Sequence, residues 1–191
     1  MASVLLPPSS NHFNSLPDIM ESHDVVEACM KGIFPQICDI FIRHGVQQTF
    51  GITLVHQHFN LEQNEKLVNI GNVAIPLQDG LVPFPTVATR WAFTGDKVIP
   101  YEFTKGAERI ELDQYPDFVG ALGEFLHSYG LSKHIGLYAL GNTTERDSGM
   151  TTEFTSGRIN VTLPFDNDPN SGSVVEAAWQ VREGTINLNA S

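Results

Sequence analysis

Apolar residues recur with two different periods along this chain of 191 residues. Over Asp24–Lys31 and again over Pro35–Gly45 they lie three or four residues apart, which predicts two short helices separated at Gly32. From Thr49 the period changes to two, as in strands whose side chains alternate between two faces. The first part of the chain is therefore predicted to pass from helices into strands.

The second part of the chain follows the same order. A helix is predicted to begin at Pro116, where the missing N–H of proline is tolerated. The predicted strands are Lys66–Leu77, Thr86–Phe93, Lys97–Thr104, His134–Leu140, Met150–Phe154, Arg158–Phe165, Val174–Arg182 and Thr185–Leu188. A helix followed by an antiparallel meander, twice, predicts an α+β fold with a large curved sheet and helices packed on one face.

Matched residues indicate that this order reflects an internal duplication. Gly45 and Gly51 match Gly130 and Gly136 at the same spacing. The further matches are Asn72 with Asn160, Pro76 with Pro164 and Trp91 with Trp179. The chain is then one compact domain with a first repeat at 23–111 and a second at 112–191. Two unrelated helix-and-strand units would give a similar outline.

The remaining segment, residues 1–22, is rich in Pro, Ser and Asn and lacks hydrophobic periodicity. Segments of this kind do not bury enough apolar surface to order themselves, so these residues are predicted to form a flexible arm.

Composition limits the partners of the protein. The formal net charge of −11, with 11 Lys and Arg residues, argues against nucleic acid, whose phosphates are bound by clustered cations. No segment approaches the roughly 20 apolar residues of a membrane span. Cys29 and Cys38 are not predicted to form a disulfide, which favours a reducing compartment and a cytoplasmic protein.

The clearest chemical signal is the pair His56 and His58. Two residues apart on a strand, they would point the same way and converge on a divalent metal ion such as Zn or Fe, or act as an acid and base near neutral pH. Their counterparts in the second repeat would be Gly141 and Thr143, so the pair belongs to one half. The alternative is two histidines that only hydrogen-bond within a half-buried strand or face solvent.

Glu62, in the turn after this strand, is the predicted third metal ligand. The set Gly51, His56, His58 and Glu62 resembles the metal motif of cupins, in which a Gly precedes an HxH pair and a Glu. The resemblance is confined to this segment, because a second cupin motif is absent and two helices leading into meanders do not match a cupin barrel.

Two further residues complete the predicted catalytic set of His56, His58, Arg90 and Glu102. Arg90 is expected to anchor an anionic or carbonyl-bearing substrate, since a guanidinium holds a carboxylate through two hydrogen bonds. Glu102, on the next predicted strand, would transfer protons. The alternative for both is a surface ion pair.

The predicted function is that of a small-molecule enzyme of the lyase, isomerase or cyclase type, with a pocket between sheet and helices. The chain has no Gly-rich phosphate loop, nucleophile elbow, CxxC or HExxH motif, which argues against kinases, α/β-hydrolases and Rossmann oxidoreductases. One alternative is a non-catalytic binder of an apolar ligand or haem, favoured by 12 Phe residues. Another is an interaction module, including a homo-oligomer, that pairs through exposed strand edges.

Overall fold

The computed structural model describes residues 4–95, 97–140, 151–164, 175, 177–182 and 185–187. Within these ranges lie three α-helices and one short 3-10 helix. The α-helices are α1 (Ser10–Phe13), α2 (Ile19–His44) and α3 (Pro116–Ser128), and the 3-10 helix is Leu112–Gln114.

Eleven strands lie in the same described ranges. They are β1 (Val4–Leu5), β2 (Phe50–Leu54), β3 (Glu65–Ile70), β4 (Val73–Gln78), β5 (Thr86–Thr94), β6 (Lys97–Lys105), β7 (Ile135–Ala139), β8 (Thr151–Ser156), β9 (Ile159–Pro164), β10 (Ala178–Arg182) and β11 (Thr185–Asn187). They form one sheet in the order β11-β10-β2-β7-β5-β6-β3-β4-β9-β8, with β1 added to β6.

The fold is mixed α+β, which confirms the predicted class at that level. Most neighbouring strands are antiparallel, but β1 and β3 each pair with β6 in parallel. The sheet is therefore not a pure antiparallel meander. After the β3–β4 hairpin the chain continues to β5, and β6 then pairs with β3 on the side of β3 opposite β4.

The main apolar core lies between the two long helices and one face of the sheet. Residues of α2, α3, β2 and β5 form it, among them Ile37, Phe41, Phe118, Leu122, Phe50, Ile52, Leu54 and Trp91. The rings of Phe50 and Phe118 stack with their centroids 5.6 Å apart. Helix packing thus covers the face of the central strands that carries their large apolar side chains.

The predicted break in the first helix is wrong. Helix α2 begins after its N-cap Asp18 and continues through Pro35 to the left-handed Gly45, where φ is 66°. Pro35 lies on the exposed side, and Gln36 Nε2 donates a hydrogen bond to the Gly32 carbonyl at 2.9 Å. A proline in a helix interior costs about 3 kcal/mol, but water can solvate the carbonyl that loses its donor while the buried face stays packed.

The prediction of a flexible arm is not met from Val4 onward. β1 pairs with β6, and Phe13 and Leu16 are buried in a second apolar cluster that includes Leu61. The Asn14 side chain bridges to the backbone of Leu61, donating to its carbonyl at 2.8 Å and accepting from its N–H at 2.7 Å. Two apolar anchors and one amide hold the segment, a pattern too sparse to give hydrophobic periodicity.

The other predicted strands need smaller corrections. The segment Lys66–Leu77 is two strands, β3 and β4, because a tight turn at Gly71 with φ of 63° separates them. Strand β2 ends at Leu54, before the histidine pair. The other predicted strands and the helix from Pro116 are present, although the predicted strand ends Met150, Phe165, Val174 and Leu188 lie outside the described residues.

Strands of the two predicted repeats pair with each other. β2 is antiparallel to β7, and β4 is antiparallel to β9. The duplication itself, and the division into repeats at 23–111 and 112–191, stay predictions.

Among the helices that the structure describes, none has both the length and the hydrophobicity of a membrane span. Cys29 and Cys38 are free thiols.

Candidate metal centre

A cleft of about 440 Å³ lies on the face of the sheet opposite the long helices. Arg90 and Tyr138 line the cleft, whereas their strand neighbours Trp91 and Leu137 belong to the core beneath the helices. Because successive side chains of a strand point to opposite faces, the cleft and the helices are on opposite sides of the sheet. This differs from the predicted pocket between sheet and helices.

Strand β8 reaches this cleft because the sheet is strongly curled. Five inter-strand steps separate β5 from β8 in the strand order, which would be about 24 Å in a flat sheet. Yet Arg90 Nη2 of β5 lies 3.4 Å from Glu153 Oε1 of β8. The sheet therefore bends back on itself and places β8 against the segment that follows β2.

His56 and His58 follow β2 directly and come together as the sequence predicts. Their ring centroids are 4.7 Å apart, and the ring planes lie at 87° to each other. Only 2% and 6% of the two side chains are exposed, and each Nε2 lies 3.5 Å from Glu153 Oε2. Two imidazoles and one carboxylate thus meet at one buried point.

The hydrogen bonds of His56 fix its neutral tautomer. Its Nδ1 lies 3.0 Å from the Leu54 carbonyl oxygen, which only accepts, so Nδ1 carries the proton. The Nε2 atom therefore presents a lone pair, and it is buried without a hydrogen-bond partner in the part of the chain that the structure describes.

The surroundings of His58 give the same tautomer. The Asn160 amide nitrogen, a donor, lies 3.3 Å from His58 Nε2, and its carbonyl oxygen accepts from Thr155 Oγ1 at 3.0 Å. Since the Thr155 proton is used in this way, the contact of 3.5 Å between His58 Nδ1 and Thr155 Oγ1 has the histidine as donor. The His58 Nε2 lone pair therefore accepts from the Asn160 amide, whose nitrogen also lies 3.4 Å from Glu153 Oε2.

Electrostatics favours a neutral His58 and an ionised Glu153. Burial lowers the pKa of His58, and the nearby Glu153 carboxylate offsets only part of that effect. Burial acts to raise the pKa of Glu153, but a hydrogen bond from His56, when its Nε2 carries a proton, and the charge of Arg90 outweigh it and hold that pKa well below its usual range. A bound metal ion would displace that proton. Near neutral pH both groups are in the protonation states that ligate metal ions.

The spacing of these atoms matches a metal site. The ligand atoms of His56, His58 and Glu153 all lie within 4.8 Å of one another. Two ligands that each lie about 2.1 Å from a tetrahedral ion are about 3.4 Å apart. The two separations of 3.5 Å between each imidazole Nε2 and Glu153 Oε2 are close to that value. The three side chains could hold Zn or Fe with little movement.

Glu102 and Arg90 adjoin the three ligands. Arg90 Nε lies 3.5 Å from Glu102 Oε2, and the same guanidinium contacts Glu153. The other Glu102 oxygen, Oε1, is 3.9 Å from His58 Nε2 and is buried with no hydrogen-bond partner among the described residues. Arg90 therefore holds two carboxylates in place, whereas the sequence predicts that it anchors a substrate.

Glu62, the predicted third ligand, is not part of the cluster. Its side chain is 73% exposed, and its Oε1 lies 3.3 Å from Arg158 Nη1. Glu153 takes the third position instead. It is the one acidic residue of the predicted strand Met150–Phe154, but its partners depend on the curl of the sheet, which no local pattern shows. The catalytic roles of His56, His58, Arg90 and Glu102 stay predictions.

Comparison of the chain with models of known protein families, with curated proteins and with solved structures finds no match.

Proposed function

We propose that this protein is a metal-dependent enzyme for a small molecule, with a divalent Zn or Fe ion held by His56, His58 and Glu153. The convergence of three acceptor atoms carries the proposal. The Nε2 atoms of the two imidazoles each lie 3.5 Å from the same anionic oxygen, Glu153 Oε2, in a buried site. A cation between them would remove their mutual repulsion and satisfy His56 Nε2.

A catalytic role for the ion follows from the number of ligands and from the cleft. Catalytic zinc sites have three protein ligands and keep one position for water or substrate, whereas structural sites have four. The centre lies beside the cleft, and Glu153 and Glu102 both line it. The ion would polarise a bound oxygen, which is the chemistry that a Lewis acid supplies.

Glu102 is the proposed proton-transfer group. Its Oε1 is buried, faces the centre at 3.9 Å from His58 Nε2 and makes no hydrogen bond to another described residue. A carboxylate so placed can take a proton from a metal-bound ligand and return it, a step that isomerases and lyases share. Arg90 would keep Glu102 and Glu153 aligned and balance their charge.

The metal content of the purified protein tests this proposal. Inductively coupled plasma mass spectrometry should find about one ion per chain in the wild type after equilibration with Zn²⁺ or anaerobic Fe²⁺ and gel filtration. His56→Ala, His58→Ala and Glu153→Gln should each weaken binding by more than the roughly 10–100-fold typical of outer-shell changes. Glu62→Gln is the matched control, because Glu62 is exposed and paired with Arg158, and it should bind like the wild type.

A metal-free acid–base pair is the second candidate. Its support is that one Glu153 oxygen lies 3.5 Å from the Nε2 atoms of both His56 and His58, so the three groups could share a proton. A wild type that retains no ion under either condition would favour this candidate over the metal enzyme. The alternative of a binder of haem or of an apolar ligand stays a prediction.

We also propose that the two halves arose by duplication. Trp91 pairs with Leu137, and Trp179 pairs with Ile52. In the sequence alignment of the halves, Trp91 matches Trp179 and Ile52 matches Leu137, so the two pairings are the same contact with the halves exchanged.

A close backbone approach also occurs twice. A Cβ on Gly51 would lie within 3.0 Å of the Trp179 carbonyl oxygen. A Cβ on Gly136 would likewise lie within 3.0 Å of the Trp91 carbonyl oxygen. A two-fold axis between β2 and β7 would produce each contact twice in this way, once in each half. An experimental structure tests it: residues 45–54 and 130–139 should superpose after a rotation near 180°, and a poor fit would contradict the duplication.

A further inference from the structure

Beyond the metal centre, the lining of the cleft includes a group of uncharged side chains that can form hydrogen bonds. They are Asn69, Asn72, Thr89, Thr104, Thr151 and Thr162. Sites that bind a substrate hydroxyl place such groups against it, and they reject analogues that leave those groups unpaired. The lining therefore matches a ligand with several hydroxyl groups.

The hydroxyl groups flank the metal centre on two sides. Thr89 Oγ1 and Thr104 Oγ1 lie 3.0 Å apart on β5 and β6, so one donates to the other and the second keeps a free donor. Thr151 and Thr162 come two residues before Glu153 and two residues after Asn160, which places them on the same strand faces as these residues. A ligand bound to the ion would thus meet hydroxyls from both directions.

The charged residues of the cleft do not form a site for an anionic group. Arg90 contacts both Glu102 and Glu153. Lys105 is exposed, and its Nζ lies 4.5 Å from the ring centroid of Phe84. Neither described cation is thus set as a dedicated partner for a carboxylate or phosphate of a ligand.

Proton transfer at the centre does not require a charged ligand. A divalent ion and the Arg90 guanidinium, set against the Glu102 and Glu153 carboxylates, leave one net positive charge at the centre. A bound ligand hydroxyl can pass its proton to Glu102 Oε1, and this transfer leaves that net charge unchanged.

We infer that the cleft binds a small uncharged polyhydroxy compound, of the polyol or simple sugar class, through vicinal oxygens on the ion and hydroxyls against Thr89 and Thr104. This inference rests on the proposed metal centre. A volume of about 440 Å³ is in the lower part of the range for small-molecule sites and suits a compound of this size.

Binding of erythritol, xylitol and sorbitol to the Zn²⁺-loaded protein tests the inference, measured by saturation-transfer NMR titration with xylonate as the anionic comparison. At least one polyol should bind, and Thr89→Val and Thr104→Val should each weaken its binding roughly tenfold, the effect of one lost hydrogen bond. Thr94→Val is the matched control, because Thr94 is exposed at the end of β5 and outside the cleft lining. All three variants should keep the metal content of the wild type.

The outcomes separate this inference from the metal centre. If zinc binds but none of the three polyols does, or if Thr89→Val and Thr94→Val behave alike, the inference is overturned and the metal centre stands. The inference also fails if xylonate binds more than a hundredfold tighter than every polyol. A wild type that binds no ion contradicts the proposed function, and the polyol site with it.

Discussion

Arg90 contacts two carboxylates in the least exposed part of the cleft. Its guanidinium lies 3.5 Å from Glu102 and 3.4 Å from Glu153, whose side chains are 4% and 15% exposed. Removing one partner of a buried ion pair leaves uncompensated charge, which costs about 3–5 kcal/mol. Arg90 is therefore needed for stability before any ion binds.

Replacing Arg90 by Met should lower the free energy of unfolding of the metal-free protein by about 3 kcal/mol, the lower end of that range because the side chain is 17% exposed. Urea denaturation measures the change. Zn²⁺ should restore part of the loss, since the ion supplies the missing positive charge. Arg90→Lys keeps a positive charge, so its free energy of unfolding should fall less than that of Arg90→Met. An equal fall in the two variants would mean that the shape of the arginine side chain matters here and its charge does not.

Two histidines outside the metal centre make stability depend on pH. Burial lowers the pKa of His12, and it also lowers that of His134, where Glu21 opposes the shift and Lys133 adds to it. In the unfolded chain both titrate near 6.5. As the pH falls below that value, the unfolded state binds protons first, so the stability that is present above pH 6.5 is progressively lost.

The metal-free protein should therefore unfold at lower urea concentration as the pH is reduced from about 7 towards 5. His12→Gln and His134→Gln should each make this dependence shallower, and the double variant should be shallower still. If the stability of the double variant depends on pH as steeply as that of the wild type, groups other than His12 and His134 cause the pH dependence.

At the scale of elements, helix α2 retains a local defect within a well-packed helix. Pro35 provides no N–H for the helix, on a side where Gly32, Pro35 and Gln36 are all exposed. Pro35→Ala should raise the free energy of unfolding by about 1–2 kcal/mol, since the helix propensity gained exceeds the entropy that the unfolded chain regains. Urea denaturation checks this, and an unchanged midpoint would show that Pro35 does not weaken α2.

Elements defined by local chemistry could be predicted from the sequence. The helix from Pro116 and the β5–β6 hairpin follow from hydrophobic period and turn residues, and the structure contains them. Errors arose where distant packing decides the outcome. Pro35 indicates a helix start in isolation, but burial of the flanking apolar residues keeps α2 continuous. The segment around Phe13 has no periodicity because only Phe13, Leu16 and the Asn14 amide fix it.

The same distinction applies to the candidate site. His56 and His58 are two residues apart in sequence, so a local pattern predicts that they meet. They do meet, although both lie after β2 has ended. Glu153 is almost 100 residues away, and it reaches them only because the sheet curls. Glu62 is close to the histidine pair in sequence, and the sequence therefore predicts it as the third ligand. That prediction is wrong, because the curl of the sheet brings Glu153 to the pair and leaves Glu62 exposed.

At the scale of the whole molecule, the candidate centre connects the two predicted repeats. His56 and His58 belong to residues 23–111, and Glu153 belongs to residues 112–191. An ion bound by all three would close the curled sheet by joining β8 to the segment after β2. Such an ion should act on the stability of the entire fold, since opening either half would break the coordination.

Zn²⁺ at a hundred times its dissociation constant should stabilise the wild type by about 2.7 kcal/mol, which is a rise in Tm of roughly 5–10 °C for a chain of this size. A chelator should reverse the rise. Glu62→Gln should respond like the wild type, because Glu62 is paired with Arg158 outside the cluster. Glu153→Gln should show little response, since the ion then has ligands from one half only. If the Tm of Glu153→Gln rose as much as that of the wild type, the ion would be bound elsewhere. The β2–β7 and β4–β9 pairings would then hold the two halves together without a bound ion.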